Sequence, residues 1–276
     1  MHSPTIRFGV ALPMLLACAV GFRASAAESD IGVICPKNPL SSEASRTVGE
    51  QAKLLSAQAM ACVREKKPAQ AVALLSEIIR RTPTDAPAYL NRGSAQATAG
   101  EVALALTDYT TALRLQPDLM EAWYNRGTLY TQFGRYQQAI ADFTEAIRLK
   151  LDFAPAYCNR GMANFQLGRY DDALADFSIA IDKDARLTYC HFNRGNLYLV
   201  LGEYQRAVDD LTEAIHANPK NVVALSRRGQ AYEALGQPAR ALDDFRAALE
   251  IDPGLQSAKE GFARVTAQQQ HSDGSE

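Results

Sequence analysis

The sequence predicts an all-α fold, a right-handed α-solenoid of stacked helix-turn-helix units closed by a carboxy-terminal capping helix, on three observations. Asn91-Arg92-Gly93 returns as Asn125-Arg126-Gly127, Asn159-Arg160-Gly161 and Asn193-Arg194-Gly195, one copy every 34 residues, with Arg227-Arg228-Gly229 in phase. A second glycine (Gly100, Gly134, Gly168, Gly202, Gly236) and an alanine (Ala105, Ala139, Ala173, Ala207, Ala241) keep the same period. Each period also holds two helical stripes: Tyr89, Arg92, Gly93 and Gln96 in its first half, and Ala105, Tyr109 and Ala112 in its second. A single helix pair cannot bury both of its faces, so the units must stack.

The elements follow in order. Between Arg7 and Arg23 lies a charge-free apolar stretch, Phe8 to Phe22, followed by Ala24-Ser25-Ala26. It is shorter than the ~20 residues of a spanning helix. Residues 1–26 therefore read as a secretory signal peptide. Leu15-Leu16-Ala17-Cys18 offers an alternative, a bacterial lipobox in which Cys18 is lipidated. Residues 27–45, with Pro36 and Pro39, read as an extended leader, and 46–84 as a degenerate unit in phase through Ala71 and Pro83. Five full units occupy 85–118, 119–152, 153–186, 187–220 and 221–254.

Within a unit, Gly100 and its equivalents suit the left-handed end of the first helix, and prolines such as Pro117 follow the second. Pro87 and Pro155 fit a first helical turn, where no N–H is needed. Gly93 and its copies lie inside a helix at a cost of ~1 kcal/mol against alanine, which implies close approach of a neighbouring helix. Leu255, Ala258, Phe262 and Val265 make 255–270 a capping helix, and 271–276 reads as a frayed tail.

This template resembles the tetratricopeptide repeat family, whose 34-residue pattern runs bulky, Gly, Tyr, Ala, aromatic, Pro. Leu151 and Ala185 depart from the closing proline kept at Pro117, Pro219 and Pro253, and Gln96 and Asn164 from the tyrosine kept at Tyr130, Tyr198 and Tyr232. The departures bear on local packing, not on the fold. The resemblance implies a non-catalytic interaction scaffold with a protein or peptide partner.

Composition points the same way. The chain has 29 Lys+Arg against 31 Asp+Glu and no basic block, so it lacks the footprint of nucleic-acid binding. No G-x-S-x-G, no phosphate-cradling glycine loop and no nucleophile–base pair is readable, so no catalytic residue, cofactor or metal ligand is assigned. His191 takes the place of Tyr89, Trp123 and Tyr157 and reads as a packed core residue. The recurring Arg92, Arg126, Arg160, Arg194 and Arg228 are expected to pair with the recurring Asp108, Asp142, Asp176, Asp210 and Asp244, within a unit or between neighbours. Once Cys18 is removed, Cys35, Cys62, Cys158 and Cys190 remain. A Cys35–Cys62 bridge would pin the leader to the first helix pair in an oxidising compartment. Cys158 and Cys190 read as small packing residues, their disulfide status left open by the sequence.

The asparagines are set apart by angle. Asn91 lies roughly 150° from the middle of its packed stripe, so Asn91, Asn125, Asn159 and Asn193 are expected to face the hollow lined by first helices. A carboxamide can engage both the N–H and the C=O of a guest backbone. They resemble the asparagine ladder of superhelical members of the family. Arg227 follows them in phase and would take a carboxylate, resembling half of a carboxylate clamp, its lysine partner being Val223 here. Tyr124, Gln132, Phe165, Gln166 and Phe192 are candidate pocket residues on the same face. The whole reads as an exported scaffold, periplasmic or secreted. The alternatives are an outer-membrane lipoprotein, with membrane contact through Cys18, and self-association.

Overall fold

The computed structural model describes residues 48–273. The segments read as signal and leader, with Cys18 and Cys35, lie outside the described residues. Thirteen α-helices and no strand occur among the described residues. They pair in sequence as α1 (Val48–Arg64) with α2 (Pro68–Arg81), α3 (Ala86–Thr98) with α4 (Val102–Leu115), and α5 (Met120–Gln132) with α6 (Tyr136–Leu149). Next come α7 (Ala154–Gln166) with α8 (Tyr170–Lys183), α9 (Thr188–Leu201) with α10 (Tyr204–Ala217), and α11 (Val222–Ala234) with α12 (Pro238–Ile251). The capping helix α13 runs Gln256–Asp273, so helix continues into the segment expected to fray.

Local signals set the boundaries. Asp85 accepts the Ala88 N–H at 2.9 Å to begin α3, and Asn221 accepts the Ala224 N–H at 3.1 Å to begin α11. At the end of α5, Gly134 adopts φ +70°. Its N–H reaches the Thr131 carbonyl at 3.1 Å while the Arg135 N–H reaches the Tyr130 carbonyl at 2.8 Å, a Schellman closure. The same pair of bonds closes α3, α7, α9 and α11, so each unit turns its second helix back along the first in one geometry.

The other period glycine, inside the first helix, has a different role. A Cβ on Gly127 would stand 2.9 Å from Phe143 Cε1, and on Gly93 2.9 Å from Tyr109 Cε1. Phe143, Tyr109, Phe177, Leu211 and Phe245 are fully buried against these glycines, flanked by the buried period alanines. Burying such a side chain contributes about 2–3 kcal/mol, enough to offset the helix cost of the glycine.

The recurring charges pair within each unit. Arg126 donates twice to Asp142, both bonds at 2.8 Å, and the same fork joins Arg92 to Asp108, Arg160 to Asp176, Arg194 to Asp210 and Arg228 to Asp244. A further N–H of each arginine reaches back to a hydroxyl on the second helix of the preceding unit. The acceptors are Ser76, Thr110, Thr144, Ser178 and Thr212, at 3.0–3.1 Å. In α2, Leu74 stands where the other units carry aspartate, and it is fully buried with Leu75 and Ile78. The degenerate unit therefore lacks the buried ion pair, and its two helices are joined by apolar contact and by an Arg81 N–H donated to Gln51 at the surface.

The reading of Cys158 and Cys190 as mere packing residues is corrected. They form a disulfide with a Cα–Cα distance of 5.8 Å, joining α7 to α9. Consecutive first helices lie side by side, so residues separated by 32 positions, nearly one period, meet across that seam. Cys62 is also disulfide-bonded, and Cys35, its expected mate, lies outside the described residues.

Aspartates at the same position of different units differ electrostatically. Burial pushes the Asp142 carboxyl above its ordinary value despite Arg126. Burial pushes Asp210 upward too, but bonds from both His191 and Arg194 outweigh it and hold that carboxyl below its ordinary value of 3.8. The His191 Nδ1 lies 2.9 Å from Asp210 Oδ1, and the ring is buried in keeping with its core reading.

Two outcomes follow for urea midpoints. Replacing Cys158 and Cys190 together by alanine removes the closure of a long loop and lowers stability by about 3 kcal/mol. Equal midpoints for the variant and the oxidised parent would contradict this. Asp210 binds a proton less readily folded than unfolded, so its stabilisation is complete above the ordinary aspartate range and fades as pH falls through the folded value. His191→Phe is expected to lower the midpoint at pH 7 and to flatten its decline below about pH 4.

Candidate functional site

The first helices α3, α5, α7, α9 and α11 adjoin in order, and polar contacts mark their seams. Asn125 Nδ2 donates to Ser94 Oγ at 3.4 Å, and Asn159 Nδ2 donates to the Tyr124 hydroxyl at 3.1 Å. Asn193 Nδ2 lies 4.0 Å from Met162 Sδ, and Ser226 meets Ser257 of the cap at 2.9 Å. Arg264 of α13 forks onto Glu233 of α11.

These seams correct the expected orientation of the asparagines. Asn125 is 8% exposed and Asn159 only 2%, while Asn91 and Asn193 are half-buried. The angle from the packed stripe holds for one isolated helix, but the far side of each first helix meets the next first helix along. The inner asparagines fall into that seam instead of standing free above it. One N–H of Asn125 and one of Asn159 are already committed to the preceding unit. Asn91 makes no side-chain hydrogen bond among the described residues.

The other expected residues divide. Tyr124 is half-buried, its ring 5.8 Å from Phe143 and 5.0 Å from Phe153, so it acts as a post beneath Asn159 as well as a lining residue. Phe165 is half-buried with its ring 5.9 Å from Tyr170, and Gln166 is exposed. Phe192 packs partly against the core around Leu211 and Phe245. Between α3 and α5 opens a cavity of about 350 Å³ lined by Ala97, Thr98, Tyr124, Asn125, Thr128, Leu129 and Gln132. It brings together three of the expected residues, Tyr124, Asn125 and Gln132. Thr98 and Thr128 were not legible in advance, because their positions carry no repeat: Thr128 is matched by Ser94, Met162, Asn196 and Gln230. The available signal was spacing, since Thr128 lies three residues after Asn125 on one helix face.

Arg227 stands two seams beyond Asn159 on α11. Its side chain is exposed and donates to Gln230 Oε1 at 3.2 Å, with no carboxylate in ion-pair range among the described residues. Although the surface is open, surrounding protein displaces enough water to pull its guanidinium below the ordinary value. That contrasts with Arg228 beside it, which Asp244 holds above.

Comparison with known proteins agrees with the fold. The crystal structure described as YrrB, a TPR protein with an unusual peptide-binding site, is 22% identical, with TM-score 0.58 over 67% of this chain and 96% of its own. A MamA crystal structure is 26% identical, with TM-score 0.56 over 61% of this chain and 92% of its own. PilF of Pseudomonas aeruginosa is 17% identical, with TM-score 0.72 over 79% of this chain and all of its own. Among curated proteins none matches. A profile for anaphase-promoting complex subunit 5 matches residues 156–221 only. The profile described as tetratricopeptide repeat matches residues 56–119, 90–152, 124–186 and 192–255, which together span most of the described helices, and the chain belongs to the tetratricopeptide repeat family.

Proposed function

We propose that the protein is an exported, non-catalytic scaffold that holds an extended segment of a partner protein along the face formed by α3, α5, α7, α9 and α11. The observation that carries the reading is Arg227: a partly desolvated cation on this face without a carboxylate of its own, ready to take one from a guest. The half-buried amides of Asn91 and Asn193 and the α3/α5 cavity supply neutral hydrogen-bonding positions along the same face. Peptide binding by a protein of like fold, the one described as having an unusual peptide-binding site, is compatible with this. Export is supported by the cysteines, since all three in the described residues are disulfide-bonded, a state that persists in oxidising compartments.

Self-association through the end of the stack is disfavoured at the carboxy terminus. There α13 buries Ala258 and Val265 and turns Gln256, Lys259, Glu260 and Gln268 outward, the polar outer face of a cap.

The reading is tested by capture from a cell-envelope extract, with a photo-reactive side chain placed at Gln166 or, on an outer helix, at Arg148. A partner is expected to cross-link at Gln166 and not at Arg148. Arg227→Glu is expected to cut capture at least about tenfold, the equivalent of ~1.4 kcal/mol, with an unchanged melting temperature. Capture that is indifferent to Arg227→Glu and cross-links through Arg148 would defeat it.

A further inference from the structure

We infer that the cavity between α3 and α5 is a selective subsite for a neutral hydrogen-bond donor of the guest, a primary carboxamide side chain, and that it rejects a carboxylate; the inference rests on the groove reading above.

The threonine hydroxyls of the cavity have already spent their protons. Thr98 Oγ1 lies 2.9 Å from the Ser94 carbonyl and Thr128 Oγ1 2.9 Å from the Tyr124 carbonyl. A carbonyl can only accept, so each hydroxyl has committed its single proton to its own helix. What remains available on both threonines is lone pairs. Ser94 follows the same rule, donating to the Leu90 carbonyl at 3.0 Å, and therefore receives the Tyr109 hydroxyl at 3.2 Å and Asn125 Nδ2 at 3.4 Å. That fixes which end of the Asn125 carboxamide faces Ser94, since its oxygen would meet another oxygen with no proton between them. Gln132 is half-buried at the edge of the cavity, and its carboxamide makes no hydrogen bond among the described residues.

No charged side chain lines the cavity. A carboxylate entering it would meet threonine lone pairs and no cation. An ammonium group would shed water with no anion to replace it. A primary carboxamide fits both sides: its N–H groups meet Thr98 and Thr128, and its carbonyl meets a Gln132 N–H. The volume of about 350 Å³ suits one side chain and its adjoining peptide group.

The hydroxyl pair belongs to this seam alone. The corresponding points of the next three seams carry Gln132 with Met162, Gln166 with Asn196, and Val200 with Gln230. With first helices roughly 8–10 Å apart, three seams separate the subsite from Arg227 by about 24–30 Å. At ~3.3 Å per extended residue that is roughly eight guest residues. The favoured guest thus carries a carboxamide at one end of such a segment and an acid at the other.

The test exposes the full chain to a positional-scanning library of N-acetylated nonapeptides with a free terminal carboxylate, and the retained peptides are sequenced by mass spectrometry. At one position near the amino end, glutamine is expected to be retained at least about tenfold over glutamate. Thr128→Val, close in shape but without acceptors, should bring that ratio near one. Gln132→Ala should lower it as well, independently of how the buried threonine site tolerates change. Arg148→Ala on the outer face should leave it intact. If the parent retains the library with glutamate equal to or above glutamine at every position, the subsite is wrong and the groove reading stands. If the parent retains no peptide above a blank surface, both fall.

Discussion

In every full unit one guanidinium touches three helices, and the spacing of the rest depends on it. Arg126 sits on α5, forks onto Asp142 of α6, and reaches Thr110 of α4 in the unit before. Aromatic faces cover it, with the Trp123 ring 5.0 Å and the Tyr130 ring 5.8 Å from its central carbon. Buried ion pairs contribute little net stability over apolar packing, because desolvation consumes most of the attraction. Their value here is geometric. A fork admits one orientation, so it fixes how the two helices of a unit meet, and the remaining N–H fixes how far that unit is rotated on its predecessor. Repeated along the stack, the same contact sets where consecutive first helices adjoin, and hence where a seam can open into a cavity.

The fold was legible because it is written repeatedly. Gly127 against Phe143 and Gly134 at a left-handed turn each report one local requirement, and five copies make the requirement unmistakable. That the recurring arginines and aspartates pair was likewise readable, since charges on packed faces need partners, but the choice of Asp176 in its own unit by Arg160 is made by the fold. The site was legible only in part. Asn159 was placed on the correct helix but expected to face the open hollow, and its burial in the seam depends on Tyr124 of the preceding unit, a contact absent from any single-helix projection. Cys158 and Cys190 look unrelated in sequence and become neighbours only when the superhelical stagger is known. Thr98 and Thr128 break the period, and a search for periodicity discards what breaks it. Structure is encoded in the repeating positions, and the proposed recognition chemistry draws on positions that vary.

The variation along the inner face is ordered. Near α3 and α5 it consists of amides and hydroxyls, namely Asn91, Thr98, Thr128 and Gln132. Around α7 and α9 it is mixed, with Met162, Phe165, Phe192 and Val200 beside Gln166, Asn193 and Asn196, and Val200 is 55% exposed. At α11 it becomes cationic with Arg227, whereas Glu233 is neutralised by Arg264. Under the proposed reading, a guest would be read by the sequence of its own polarity: a neutral polar stretch first and an acid last. Each zone is weakly selective by itself. On that reading, registering both ends at once on one extended strand would confer direction, since a reversed strand would set its acid against lone pairs.

A superhelix of stacked units behaves mechanically as a coil spring, and small rotations at each joint add up to a change in pitch. The sulfur bridge between α7 and α9 rivets one of those joints midway along the coil. Stretching or tightening must then be taken up on either side of it, by the turns before α7 and those after α9. The molecule then resembles two short springs meeting at a collar, and the middle of the inner face lies on the stretch of the coil whose pitch the bridge constrains most.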